Sequence, residues 1–277
     1  MAKTQITTAA EAASLVKDGM TVMVGGFMAN GTPEPIIDEL VKSNVKDLTI
    51  ICNDAGFGRK KDKETGEWKG KARGVGKLVE NGQVKKLIAS HVGLNPEFGA
   101  KYFEGEIDLE LVPQGTLAER IRCGGSGLGG FYTPTGVGTE VAEGKEIKTI
   151  DGVDYILELP LHADIALIKA TKADTAGNLY FRLNSRATNS TMAFAGDFVI
   201  AEVEEIVEVG ELEPEEIHVP APIVDMVYVR TGEKRPLCPM WQRAKAKAEA
   251  KAREKEGISN GRINRTRTHC IPLREIL

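Results

Sequence analysis

The stretch Thr21–Glu34, TVMVGGFMANGTPE, decides the fold. An apolar run, Thr21–Val24, enters a pair of glycines, an aromatic residue and a short polar turn, and Pro33 stands where a helix begins. The residues that follow, IIDELVKS, place Ile36, Ile37, Leu40 and Val41 at helical spacing. A strand–loop–helix unit of this kind brings backbone N–H groups to the carboxyl end of a strand, where open α/β sheets build their sites. Gly25-Gly26-Phe27, with Gly31 and Pro33 after it, departs from the G-x-G-x-x-G spacing of dinucleotide-binding loops. The same glycines would also serve a plain tight turn.

Outward from this unit, strands and helices alternate. The patterning predicts strands at Thr21–Val24, Leu48–Cys52, Lys86–Ser90, Leu109–Val112 and Ile165–Lys169. Helices are expected between them at Ala9–Lys17, Glu34–Ser43, Pro96–Phe103 and Thr116–Arg122. Such alternation means parallel strands joined by right-handed crossovers, and the near-continuous apolar runs suit strands buried on both faces. The expected fold is an α/β protein with an open, mainly parallel sheet and helices on both faces. Asn178–Phe181 and Phe198–Val209 would lengthen the sheet or pair at its edge.

At 277 residues and 42% apolar content, the chain is long enough for a packed core. No apolar run approaches the ~18 residues of a membrane span. The segment MAKTQITTAAEAASLVKDGM lacks the apolar centre of a signal peptide and reads as an amphipathic helix, so a cytoplasmic location is expected. Cys52, Cys123, Cys238 and Cys270 are scattered without a C-x-x-C pair, and His91, His162, His218 and His269 are equally dispersed. A metal site is not expected, and the thiols should be reduced. Cys123 reads as a buried thiol.

Several blocks share a resemblance. V-G-G-F-x-x-x-G-x-P resembles the signature of the A (alpha) subunit of class I coenzyme A transferases, of the acetate/acetoacetate and 3-oxoacid type. Cys52-Asn53-Asp54-Ala55-Gly56, the run Asp108–Arg122 (DLELVPQGTLAERIR), and Gly124–Gly130 with Phe131–Gly136 also resemble that family. Lys172–Asn178 and Glu202–Val207 continue the likeness in the family's order, from about residue 3 to 230, over roughly four fifths of the chain. The resemblance implies a transferase domain over residues 1–232.

Two regions depart from the pattern. Residues 58–76, GRKKDKETGEWKGKARGVG, form a long charged insertion. It reads either as a solvated surface loop or as a basic arm over the site mouth, meeting coenzyme A phosphates or a partner. Lys60, Lys61, Lys69, Lys71 and Arg73 would then matter, with Trp68 as an anchor. Residues 233–277 form a basic tail expected to be helical over 243–255. From Arg230 onward, 13 Lys/Arg face 5 Asp/Glu. With sparse aromatics and no groove-reading fold, an arm packed on the acidic body or on a neighbouring subunit suits this composition better than nucleic-acid binding.

The resemblance also implies the chemistry. Members of the family attack an acyl-CoA with a glutamate carboxylate and pass through a glutamyl-CoA thioester. In split members that glutamate lies in a Ser-Glu-Asn-Gly turn of the B (beta) subunit. Here Glu80-Asn81-Gly82 follows Val79 and precedes Gln-Val-Lys-Lys, so it reads as an ordinary turn before a strand, and the nucleophile is expected on a partner. Gln114, between a strand and a helix, is marked by the resemblance as an active-site residue that would meet the developing oxyanion. Asn53 would bind acyl oxygens or orient the attacking carboxylate, and it also suits an Asx turn. Gly25, Gly26, Phe27, Asn30 and Gly31 are the substrate- and coenzyme A-binding candidates of the first loop. Glu119 and Arg122 read as an ion pair along one helix. Gly124–Gly130 is too glycine-rich for a helix, and would wrap a phosphate or turn Phe131-Tyr132 back to the sheet.

The expected assembly is a hetero-oligomer with equal A and B subunits, handling acyl-CoA and a short-chain carboxylic acid. Coenzyme A is a substrate, and no cofactor, nucleic acid or membrane is expected. Two alternatives stay open: a stand-alone α/β hydrolase or isomerase using Glu80, and a non-catalytic acyl-CoA- or nucleotide-binding module.

Overall fold

The computed structural model describes residues 4–231 and 246–252. Residues 4–231 build an eight-stranded sheet in which every neighbouring pair runs parallel. Its strands in chain order are β1 (Gln5–Thr7), β2 (Thr21–Val24), β3 (Leu48–Cys52), β4 (Val84–Ala89), β5 (Asp108–Leu111), β6 (Ala163–Lys169), β7 (Gly196–Val203) and β8 (Met226–Val229). Across the sheet they lie in the order β1-β8-β7-β6-β2-β3-β4-β5. The chain therefore moves from β2 outward through β3, β4 and β5, then returns to the other side of β2 as β6. That reversal opens a crevice beyond the carboxyl ends of β2 and β6.

Helices cover both faces: α1 (Ala9–Ser14), α2 (Glu34–Ser43), α3 (Gly76–Glu80), α4 (Pro96–Phe103), α5 (Gln114–Gly125) and α6 (Asn189–Ala195). The period of two along a strand sorts its residues between two cores. Val22, Val24, Ile50 and Leu87 pack with Ile36, Ile37, Leu40, Leu78 and Phe98. Met23, Ile51 and Ile88 pack on the opposite face with Leu117, Ile121 and Met192. Each fully buried side chain of this size contributes roughly 1.5–3 kcal/mol of transfer free energy.

Local chemistry explains the element ends. Thr8 and Glu11 form a reciprocal capping box at the start of α1, which stops at Ser14 rather than Lys17. The first unit forms as expected, with Pro35 in the first turn of α2 and Asn44 closing it in the left-handed conformation. The α5 helix departs from expectation because it runs on through Gly124 and Gly125. A Cβ at Gly124 would stand 2.0 Å from the Leu161 carbonyl oxygen, and one at Gly125 would stand 2.6 Å from the Phe194 Cβ. These glycines sit in the helix because two neighbours press against its backbone there.

Other expectations need correction. Of Asn178–Phe181, Leu179–Tyr180 forms a strand, in a separate small sheet with Lys172–Asp174 and Glu205–Val207. Phe198–Val209 splits at Glu204, whose N–H turns to the Thr171 carbonyl (3.1 Å): its first part lengthens the main sheet as β7, one of the two expected outcomes, and Glu205–Val207 joins the small sheet. Phe131 does not return to the main sheet. Phe131–Thr133 joins an antiparallel sheet with Val153–Glu158 and Ile147–Ile150.

Residues 246–252 are helical and exposed and fall in a unit distinct from residues 1–233. The remaining tail, 232–245 and 253–277, lies outside the described residues, and so do Cys238, Trp241, His269 and Cys270. Among the described residues, no helix is long and apolar enough to cross a membrane, and no cluster of His, Cys, Asp and Glu could hold a metal ion.

Candidate active site at the carboxyl edge of the sheet

The glycine loop after β2 is held from beneath by a residue far away in sequence. Asn189, fully buried at the start of α6, accepts the Lys169 N–H (2.9 Å) and donates to the Gly31 and Ser185 carbonyls (2.9 and 2.8 Å). A Cβ on Gly25 would lie 1.8 Å from the Asn189 Oδ1, so only glycine lets β2 pass over that amide. The first loop thus bridges the two strands that flank the crevice.

The loop is less open than its glycines suggest. Phe27 and Asn30 exchange both backbone hydrogen bonds at 2.9 Å, closing a two-residue turn over Met28 and Ala29. Both central residues have positive φ, 50° and 58°. Side chains there are strained, at about 1–2 kcal/mol per residue. The N–H groups of Phe27 and Asn30 are used within the turn, those of Gly25 and Met28 go to Leu167 O and Asp54 Oδ2, and the expected row of bare amides is mostly occupied. Phe27 is 40% exposed, whereas the Asn30 Nδ2 is buried with no hydrogen-bond acceptor among the described residues.

Asp54 organises the next strand end. Its buried carboxylate accepts from Met28 N–H (2.8 Å), Gly56 N–H (3.1 Å) and the Asn53 Nδ2 (3.0 Å). Asn53 is 2% exposed, and its Oδ1 accepts from the Gln114 Nε2 at 2.7 Å. Gln114 itself is exposed, at the first position of α5, after Pro113. The arrangement is a relay from the strained turn through Asp54 and Asn53 to one exposed amide at a helix N-terminus. Such a position favours negative charge.

Of the residues expected at the site, Asn53 and Gln114 meet in space, while the hydrogen bonds of Asp54 and Asn189 had no counterpart in the sequence pattern. A small cavity beside the relay is lined by Gly25, Gly26, Ala29, Asp54, Gly56 and Gly74, the last from the charged insertion. Cys52 lies against it as well, and burial, with the nearby Asp54 charge, pushes its thiol well above the ordinary range. It is an inert thiol rather than a nucleophile. Cys123 is fully buried, as expected. Glu119 pairs with Arg122 along α5 at 2.5 Å.

Glu80 stands apart from this cluster. It ends α3, Asn81 caps the helix, and Gly82 turns the chain with φ +67° into β4. Gln83 N–H donates to the Leu78 carbonyl and its own carbonyl accepts from Leu48 N–H, which sets the turn at the amino edge of the sheet. The Glu80 carboxylate lies 3.1 Å from the Arg59 guanidinium.

The family described as Coenzyme A transferase matches residues 6–230. The alpha subunit of acetate CoA-transferase from Escherichia coli K12 is 48% identical over 232 residues, covering 84% of this chain and 100% of that protein. The A subunit of succinyl-CoA:3-ketoacid coenzyme A transferase from Xanthomonas campestris is 49% identical over 224 residues, covering 80% and 87%. Among solved structures, the acyl-CoA transferase of E. coli O157:H7, as a thioester complex with CoA, superposes with a TM-score of 0.70 at 22% identity. The match covers 84% of this chain and 48% of that one, so this chain spans about half of its length, and the likeness is one of fold.

Proposed function

The chain belongs to the coenzyme A transferase family, and from that premise we propose that it is the A (alpha) subunit of a two-subunit enzyme. The reaction moves coenzyme A from a short-chain acyl thioester to a free carboxylic acid such as acetate, butyrate, acetoacetate or succinate. The observation that carries this reading is the Asp54–Asn53–Gln114 relay, which ends in an exposed amide.

The partner's glutamate carboxylate attacks the thioester carbonyl carbon, and the C–S bond breaks to release the coenzyme A thiolate and a mixed anhydride. The thiolate then attacks the glutamyl carbonyl, freeing the first acid and leaving a glutamyl-CoA thioester. The acceptor carboxylate repeats these steps in reverse. In each addition negative charge grows on a carbonyl oxygen, and a preorganised donor aimed there lowers the barrier. The second hydrogen of the Gln114 amide is that donor. Asn53, buried with both ends engaged, acts as a positioning residue that fixes the Gln114 rotamer.

Relatives named as alpha and A subunits support a separate B partner. The amino-edge position of Glu80 and its pairing with Arg59 count against a stand-alone enzyme. A chemical test separates the two. The co-purified subunits are incubated with acetyl-CoA and examined by mass spectrometry of each intact chain. A coenzyme A adduct on the partner supports the reading, and an adduct at Glu80 of this chain overturns it.

A further inference from the structure

The charged segment 58–76 leaves the edge of the sheet that carries Asn53 and returns to it. Its root is closed by two backbone bonds, Phe57 N–H to Arg73 O (3.0 Å) and Arg73 N–H to Phe57 O (2.9 Å). At one foot Arg59 holds the buried Glu97, its Nε 2.9 Å from Oε2. At the other, the buried Glu34 carboxylate accepts the Gly74 N–H (2.9 Å) and the Lys77 ammonium. Gly74 faces Ala29 of the strained turn, since a Cβ built on it would stand 3.6 Å from the Ala29 Cβ. The segment is therefore a ribbon clamped beside the active site, not a loose loop.

The ribbon carries seven Lys and Arg residues against three Asp and Glu. Lys60–Lys61 pairs antiparallel with Trp68–Lys69, placing Lys60 directly opposite Lys69. Like charges in that relation destabilise a ribbon. Asp62 offsets only one of them, pairing with Lys69 at 2.8 Å. On the other face the Lys61 ammonium lies 5.8 Å from the Trp68 ring centroid. Lys60 and Lys71 are exposed and have no ion-pair partner among the described residues.

We propose that this ribbon binds the phosphate groups at the nucleotide end of coenzyme A, with one phosphate bridging Lys60 and Lys69 and Lys71 completing the site. The inference rests on the reading of the chain as an acyl-CoA-handling protein. A phosphate set between two facing ammonium groups turns their repulsion into charge-assisted hydrogen bonds. The phosphates are the strongly anionic part of coenzyme A, and they are remote from the thioester. Binding them on a rigid ribbon rooted beside the relay supplies energy that the enzyme can use at the reacting carbonyl.

The test uses the complex of both subunits carrying Lys60→Gln with Lys71→Gln. Folding is not at risk, because removing Lys60 relieves the repulsion from Lys69. The KM for acetyl-CoA should rise about tenfold, as expected for two solvent-exposed charge contacts. The KM for its 3′-dephospho analogue should change less. Equal shifts for both thioesters, or none, would overturn the site. Weakened association of the two chains with unchanged KM would also overturn it, by making the ribbon a partner contact.

A second readout does not depend on turnover. Trp68 and Trp241 are the two tryptophans of this chain, so in the complex Trp241→Phe leaves Trp68 as its reporter, and the Trp68→Phe, Trp241→Phe variant gives the partner's background. Adenosine 3′,5′-bisphosphate should change its fluorescence saturably, with weaker binding in the double glutamine variant and at higher salt. An unresponsive Trp68 counts against the ribbon. A responsive Trp68 in a complex without transferase activity keeps the ribbon site and removes the proposed reaction.

Discussion

The Asp54 carboxylate joins three pieces of chain: the strained turn through Met28, its own loop through Gly56, and the side chain of Asn53. From it the hydrogen bonds run on through Asn53 to Gln114. Gln114→Ala should lower kcat about a hundredfold with little change in KM, the signature of a donor used in the transition state. Asp54→Asn should lower kcat as well, by releasing the Asn53 amide and the turn, while a folded circular dichroism spectrum is kept. If Gln114→Ala instead raises KM at constant kcat, the amide binds ground-state substrate and the oxyanion role is wrong. Asn53 and Gln114 were legible in the sequence as strand-end amides inside recognisable blocks. Asp54 and Asn189 were not, because their work depends on partners brought together by the fold: Met28 lies 26 positions from Asp54, and Gly31 lies 158 from Asn189.

At the scale of elements, the apolar runs identified the central strands, and the helical spacing identified α2 and α4. The sequence pattern failed where tertiary packing overrode local preference. Two glycines end α5 not as breakers but as the only residues that fit under Leu161 and Phe194. Gly124→Ala should therefore lower Tm by several degrees despite alanine's better helix propensity. Gly99→Ala in α4, where a Cβ meets nothing within 4 Å, should raise stability by about 0.5–1 kcal/mol. Thermal unfolding of the two variants distinguishes packing from propensity.

The β4–β5–α5 junction gives a pH signature. Burial works to raise the Glu110 carboxyl, but hydrogen bonds from Arg120 and Lys86 outweigh it and hold the group below its ordinary value of 4.5. Its stabilisation is therefore complete above that ordinary value and is lost as pH falls through the lowered one. Glu110→Gln should reduce Tm at neutral pH, and the gap from the parent chain should close on acidification. A constant gap at all pH values would mean that the pair contributes nothing through charge.

For the whole molecule, strand order and the reversal at β2 explain why the site lies where it does. Alternating strands and helices in the sequence implied a parallel sheet, but order came from long-range pairing that periodicity does not encode. The short strands β1 and β8, side by side at one end of the sheet, escaped notice for the same reason, since three or four residues carry little pattern of their own. The chain presents the Gln114 amide at the carboxyl edge, and the glutamate of its Asn-Gly turn is paired with Arg59. The proposed reaction takes its nucleophilic carboxylate from the B partner. The decisive measurement is coenzyme A transfer from acetyl-CoA to a panel of short-chain acids, by this chain alone and by the chain co-expressed with its B partner. Activity in the pair, retained by Glu80→Ala and absent from the isolated chain, is the expected result. Transfer by the isolated chain, abolished by Glu80→Ala, would contradict the account.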